Sequence, residues 1–248
     1  MPSFVWTRSP EEAFHNPFEY GAQNQFAREA TKLLNSFHEI LHRKVLRFHR
    51  DDQSLAKAVW MLHVDALEAL RDSLRMIKSG NHRIAGRLFR DSSETLDLAA
   101  YFHDQSPESK IDLAKWYDDE IIPHKKYRDH VMKSQGQSAA DEKRDTYKAL
   151  SKFTHRTYRV LLEGYTLGRD DMLVHDTYRN TRLLVPPQTI AAYFAALASH
   201  IFAFSDELVR RQQADAEEIK ATWNRCLEKK TVPRKWMIQM PRARSTKK

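Results

Sequence analysis

A chain of 248 residues with only 6 glycines has little material for positive-φ turns, which argues against an all-β sandwich or a doubly wound α/β domain. One cysteine, Cys226, excludes an internal disulfide framework and any cluster of two or more thiolates, and 41% hydrophobic residues exclude wholesale disorder. The net charge of +8 is confined to one end: residues 229–248 carry Lys229, Lys230, Arg234, Lys235, Arg242, Arg244, Lys247 and Lys248 and no acid, so residues 1–228 balance 33 bases against 33 acids.

The first 17 residues show no periodicity and read as an irregular arm. Phe26, Leu33, Leu34, Phe37, Ile40, Leu41, Val45 and Phe48 recur at helical spacing, so one long helix is expected over 18–49. Asp51-Asp52-Gln53-Ser54 supplies a break and an N-cap. A second helix follows from Leu55 to Ile77, with Gly80 as its C-cap glycine. A third is expected over 82–104, with Ile84, Leu88, Leu96, Ala99 and Phe102 on one face. Ser106-Pro107 opens a fourth, which Pro123 interrupts. Ser134–Ala140 reads as loop, and a fifth helix, over 141–166, carries Tyr147, Leu150, Tyr158 and Leu161. Residues 169–187 do not read as helix and suit a hairpin or ordered loop. An apolar helix over 188–212 and a polar one over 215–229 complete the pattern.

The expected fold is therefore all-α: a single up-down bundle of six to seven helices over 1–228, an irregular or hairpin insert near 169–187, and a basic tail over 229–248. Val185–Ser205 carries no Asp, Glu, Lys or Arg, but its strongly apolar part is short for a membrane span. It reads as a central buried helix, so no membrane association is expected. The N-terminus lacks a basic run followed by an apolar one, and with one cysteine the cytoplasm is the expected compartment.

Several residue sets carry chemistry. His38-Glu39-Ile40-Leu41-His42 spells the zinc-protease helix motif, but Glu39 points away from the apolar stripe and Arg43-Lys44 follow, so no metal site is assigned and no cofactor is expected. On the third helix Arg83, Arg87, Arg90, Glu94, Asp97 and Tyr101 share the face opposite the apolar stripe. Solvent is expected over it, with Arg90/Glu94 and Arg87/Asp91 ion pairs; covered by another helix, Arg90 and Glu94 would handle a phosphate or a proton. On the fifth helix Ser151 and His155 stand one turn apart, the spacing of a nucleophile and its base, with no acid placed to orient the histidine. The basic tail suits an anionic partner such as RNA.

Arg169-Asp170-Asp171-Met172-Leu173-Val174-His175 resembles the R-x(4–6)-H signature of the HEPN superfamily. Of the four such pairs in the chain, this one lies between two core helices beside the irregular segment. The resemblance implies an all-α bundle acting as a homodimer, RNA as substrate, and a metal-independent ribonuclease of a toxin or phage-defence system. Arg169 and His175 would bind and polarise the scissile phosphate, and a polar residue follows the Arg here as Asp170. Arg90-x-x-x-Glu94 and Leu150-Ser151-x-x-x-His155 are also similar to a bacterial helical family of unknown function, which brings a fold and no activity. The other reading is a non-catalytic interaction protein whose tail docks on an anionic surface.

Overall fold

The computed structural model describes residues 4–43, 47–155, 157–158, 165–167, 173–175 and 187–229. Two short helices, α1 (Phe4–Thr7) and α2 (Pro10–His15), lead into α3 (Glu19–His42). There follow α4 (Leu55–Lys78), α5 (His82–His103), α6 (Pro107–Tyr117), α7 (His124–Gln135) and α8 (Gln137–Thr154). Strands β1 (Tyr165–Leu167) and β2 (Leu173–His175) pair antiparallel, with Tyr165 opposite His175. Helices α9 (Pro187–Arg210) and α10 (Ala216–Cys226) end the described chain. Among the described residues the regular structure is all helix apart from this ladder, which begins ahead of the expected insert.

The described residues hold ten helices where six or seven were expected. The surplus has two sources. Beyond Pro123 the chain resumes helix as a separate α7, and the first 17 residues, expected to be irregular, form α1 and α2. These two are too short to show a period, yet they bury Val5, Trp6 and Ala13, and the link between them buries Arg8. The expected loop at 134–140 contracts to Gly136, whose φ of 86° is one that glycine adopts without Cβ strain. The fifth helix stops at Thr154 rather than 166, and Tyr158 beyond it is 74% exposed.

Local chemistry sets the boundaries that did match. Ser54 Oγ accepts from Lys57 N at 3.2 Å, and Ser106 Oγ accepts from Ser109 N at 3.1 Å, so both hydroxyls cap their helices. Gly80 (φ 79°) closes α4, while Gly80 N and Asn81 N donate back to Ile77 O and Met76 O. Trp60 Nε1 donates to Leu41 O at 2.9 Å, tying α4 to the end of α3.

Helices α4 and α5 pack along their length, and α9 lies against α2, α3, α4 and α5. Phe26, Phe37, Phe89, Phe204, Leu67, Leu197 and Ile201 fill the principal core. Thr189–Arg210 is long and apolar enough to cross a membrane, and in this fold Phe194, Leu197, Ala198, Ile201, Phe204 and Leu208 of that helix are buried in the core. A second cluster joins Leu62, Ala99, Tyr101, Phe102, Ile122 and Tyr127. Ile84, expected on the buried stripe of α5, is 41% exposed. At Gly86 of α5 the ring of Phe153 approaches so closely that a Cβ would stand 2.6 Å from its Cγ.

Burial leaves histidine a mark on stability. His63 is fully buried, with Nδ1 2.7 Å from Val59 O, and burial pushes its pKa down to about 4. Glu207 of α9, Arg211 just beyond that helix and His103 of α5 are the charged and titratable groups around it, and they act in opposing directions. His82 is also lowered to about 4 by burial, and His103, His130 and His200 are lowered too, again chiefly by burial. A histidine neutral in the fold but protonatable when unfolded removes stability as pH drops below its unfolded pKa, and the loss grows until the folded pKa is passed. His63 alone is therefore expected to cost about 3 kcal/mol by pH 4 relative to pH 7. Urea midpoints at about pH 7.5 and pH 5 should fall with acid, and less steeply in His63→Gln. Equal falls in both proteins would discard His63 as a source.

Candidate functional site

The polar face of α5 brings together two of the sequence candidates, Arg90 and Glu94, with Asp97 and Tyr101. It is not solvated along its length as expected: Asp97 is 4% exposed and Tyr101 3% exposed. Helices α7 and α8 lie against α5 and cover it. Their sequences are polar enough to look like surface, so only long-range pairing shows where they go.

Two carboxylates are clothed in the same way. Asp97 of α5 accepts hydrogen bonds from Lys143 and Tyr147, one turn apart on α8. Asp112 of α6 accepts from Tyr101 Oη at 2.7 Å and from Lys126 Nζ of α7 at 2.7 Å. Each acid thus receives one phenol and one ammonium, drawn from neighbouring helices. Burial pushes the Asp112 carboxyl up, but the bonds from Lys126 and Tyr101 outweigh it and leave its pKa below the usual value. The phenols of Tyr101, Tyr127 and Tyr147 are pushed above their ordinary range, chiefly by burial and then by the adjacent carboxylates. They stay protonated and act as donors, not nucleophiles.

Arg90 and Glu94 sit on the same face and meet. Arg90 Nε donates to Glu94 Oε1 at 2.7 Å, with both side chains about four-fifths buried. His124 of α7 stands beside them, its Nδ1 3.6 Å from Glu94 Oε2 and in contact with the Tyr127 hydroxyl. Arg87 does not pair with Asp91; its Nε donates to Phe153 O at 3.2 Å. The condition for a functional groove is met, since helices cover the face. The groups nevertheless engage one another, and the chemistry the arrangement performs is to clamp α6, α7 and α8 onto α5.

Among the described residues, the side chains of Ser151 and His155 make no hydrogen bond to each other. His155 is exposed and caps α8, its backbone N–H donating to Ser151 O at 2.9 Å. His38 and His42 stack with ring centroids 5.6 Å apart, and Glu39 is exposed. Among the described residues no group of three or more His, Cys, Asp or Glu is placed to hold a metal ion. His175 lies in β2 opposite Tyr165, and Arg169 lies outside the described residues. Of the tail, Lys229 is described and exposed; Lys230, Arg234, Lys235, Arg242, Arg244, Lys247 and Lys248 lie outside.

The root of the tail is fixed. Arg28 of α3 grips Glu228 through Nε and Nη2, at 3.0 and 3.2 Å. Glu228 N donates to Glu29 Oε1 at 2.8 Å. Sequence reasoning missed this anchor, and it missed Lys143, His124 and Lys126. The i,i+4 pair Lys143/Tyr147 is the one local signal that pointed to a shared acid.

Asp97→Ala should lower stability by about 2–3 kcal/mol, because Tyr147 and Lys143 lose their acceptor while the partly exposed lysine regains some water. Tyr147→Phe should cost about 1 kcal/mol. Urea unfolding measures both, and a cost below about 0.5 kcal/mol for Asp97→Ala would mean that this clamp does not hold α8.

No family model, no curated protein and no solved structure matches the chain.

Proposed function

We propose that this is an RNA-associated helical protein whose contact with RNA is made by the basic segment at 229–248, borne on a body that is itself electrically balanced. The observation that carries the reading is the charge distribution: all of the +8 excess lies beyond Glu228. A short run of Lys and Arg neutralises phosphates and releases counterions, which gives affinity without base specificity and a steep dependence on salt. The anchoring of Glu228 on α3 supports it, because the charged segment then leaves from a defined place on the body. The groups on α5 that would otherwise serve a phosphate, Arg90 and Glu94, are engaged with each other.

Deleting residues 230–248 leaves the Glu228 contacts intact and removes seven of the eight cations. Affinity for single-stranded RNA should drop, and the slope of log K against log salt should flatten by up to about 5. Unchanged affinity and slope would show that the segment is not the contact.

A second proposal, a HEPN-like ribonuclease acting as a homodimer, is favoured by the sequence spacing of Arg169 and His175. Under it the wild-type chain cleaves total RNA and His175→Ala does not. Equal cleavage by both, or none by either, rejects it and leaves binding as the function.

A further inference from the structure

We propose that a row on α3 and the end of α10 forms a seat for single-stranded RNA, continuous with the basic segment. Tyr20, Asn24, Arg28 and Lys32 stand four residues apart on α3, so each is the surface neighbour of the next; Asn24 is half-buried and the other three are exposed. The row spans about 18 Å of helix. Tyr20 is 67% exposed, which leaves its ring open to a stacking partner. One turn beyond Lys32, Ser36 Oγ accepts from Arg225 Nη2 of α10 at 3.4 Å, which brings a further exposed cation beside the row. Lys229 follows directly on Glu228, which Arg28 holds.

Charge complementarity decides the occupant. Arg28 and Glu228 cancel each other, and Arg43 is matched by Glu218 at 2.7 Å. Glu39 lies on the same face further along α3. Lys32, Arg225 and Lys229 have no carboxylate within 4.0 Å among the described residues, and they sit where the cationic segment begins. Three unmatched cations with an exposed aromatic at one end are the elements of single-strand recognition: phosphates track the charges and a base stacks on the ring. A duplex, whose bases are already stacked, would have no use for Tyr20. The inference rests on the RNA reading and gives it a place on the folded body.

The test is fluorescence anisotropy of a labelled oligouridine of about 12 nucleotides against the full chain at several salt concentrations. The variants are Lys32→Glu/Arg225→Glu, Tyr20→Ala and, as a control on distant α6, Lys110→Glu/Lys115→Glu; every substituted side chain is exposed, and matching thermal midpoints verify the fold. The double variant on the seat should bind at least about tenfold more weakly, with a salt slope smaller by about 1.4. Tyr20→Ala should bind about fivefold or more weakly with an unchanged slope, and the control should lose less than the double variant. Wild-type affinity and slope in the double variant, or an equal loss in the control, overturns the seat while leaving the tail reading intact. No binding of oligouridine by the wild-type chain overturns both, and capture by phosphatidylserine vesicles in that case would reassign the cations to a membrane surface.

Discussion

The carboxylate of Glu29 has no exposure to solvent, and the ends of the described chain converge on it. Trp6 Nε1 donates to it at 2.6 Å, Gln25 Nε2 at 2.8 Å and Glu228 N at 2.8 Å. Removing an ionised group from water costs several kcal/mol unless donors replace the lost hydration. Three donors, from α1, α3 and Glu228 two residues beyond α10, do so here. The acid is tolerable only when all three segments are in place, and so it makes their docking mutually dependent. A purely apolar contact would let α1 or the C-terminal turn slide; a buried charge does not.

Around this hub the apolar packing is aromatic. Trp6 lies 4.4 Å from Phe26 and 5.0 Å from Trp223, and Trp223 stacks on Phe202 at 4.7 Å. The short α1 is thereby held by rings from α3, α9 and α10. A second buried pair, Arg8 with Glu19, fixes the turn between the short helices and α3. On α5 and α6 the Asp97 and Asp112 clamps repeat the same logic, with a phenol and an ammonium in place of indole and amide. Polar helices are thus attached to the core through satisfied acids, which is why α7 and α8 hold their places with so few apolar residues of their own.

The parts of this fold that could be read from sequence are those built on local rules. The long apolar stripes of α3, α4, α5 and α9 and the caps at Ser54, Gly80 and Ser106 depend on residues within one or two turns. What escaped the sequence depends on distance. Asp97 meets Lys143 and Tyr147 across 46 and 50 positions, and Glu29 meets Glu228 across 199. A polar stripe facing another polar stripe has the pattern of two surfaces, and periodicity assigns both to water. The candidate site shared this fate: Arg90 and Glu94 were recognised as a pair, whereas the helices that enclose them were not. Arg169 lies outside the described residues, and His175 is placed by its backbone register alone.

The close approach of Phe153 to Gly86 has a consequence for how this chain can change over generations. With the ring where it is, position 86 admits no side chain, because even a methyl would stand 2.6 Å from Phe153 Cγ. The two sites are therefore ordered in history: a smaller residue at 153 has to come first before anything but glycine is tolerated at 86. Arg87 adds to the constraint by donating to the carbonyl of Phe153, so the end of α8 cannot simply be displaced. Relatives in which 86 is not glycine should carry a reduced side chain at 153, and a lineage that keeps the phenylalanine has a locked position at 86.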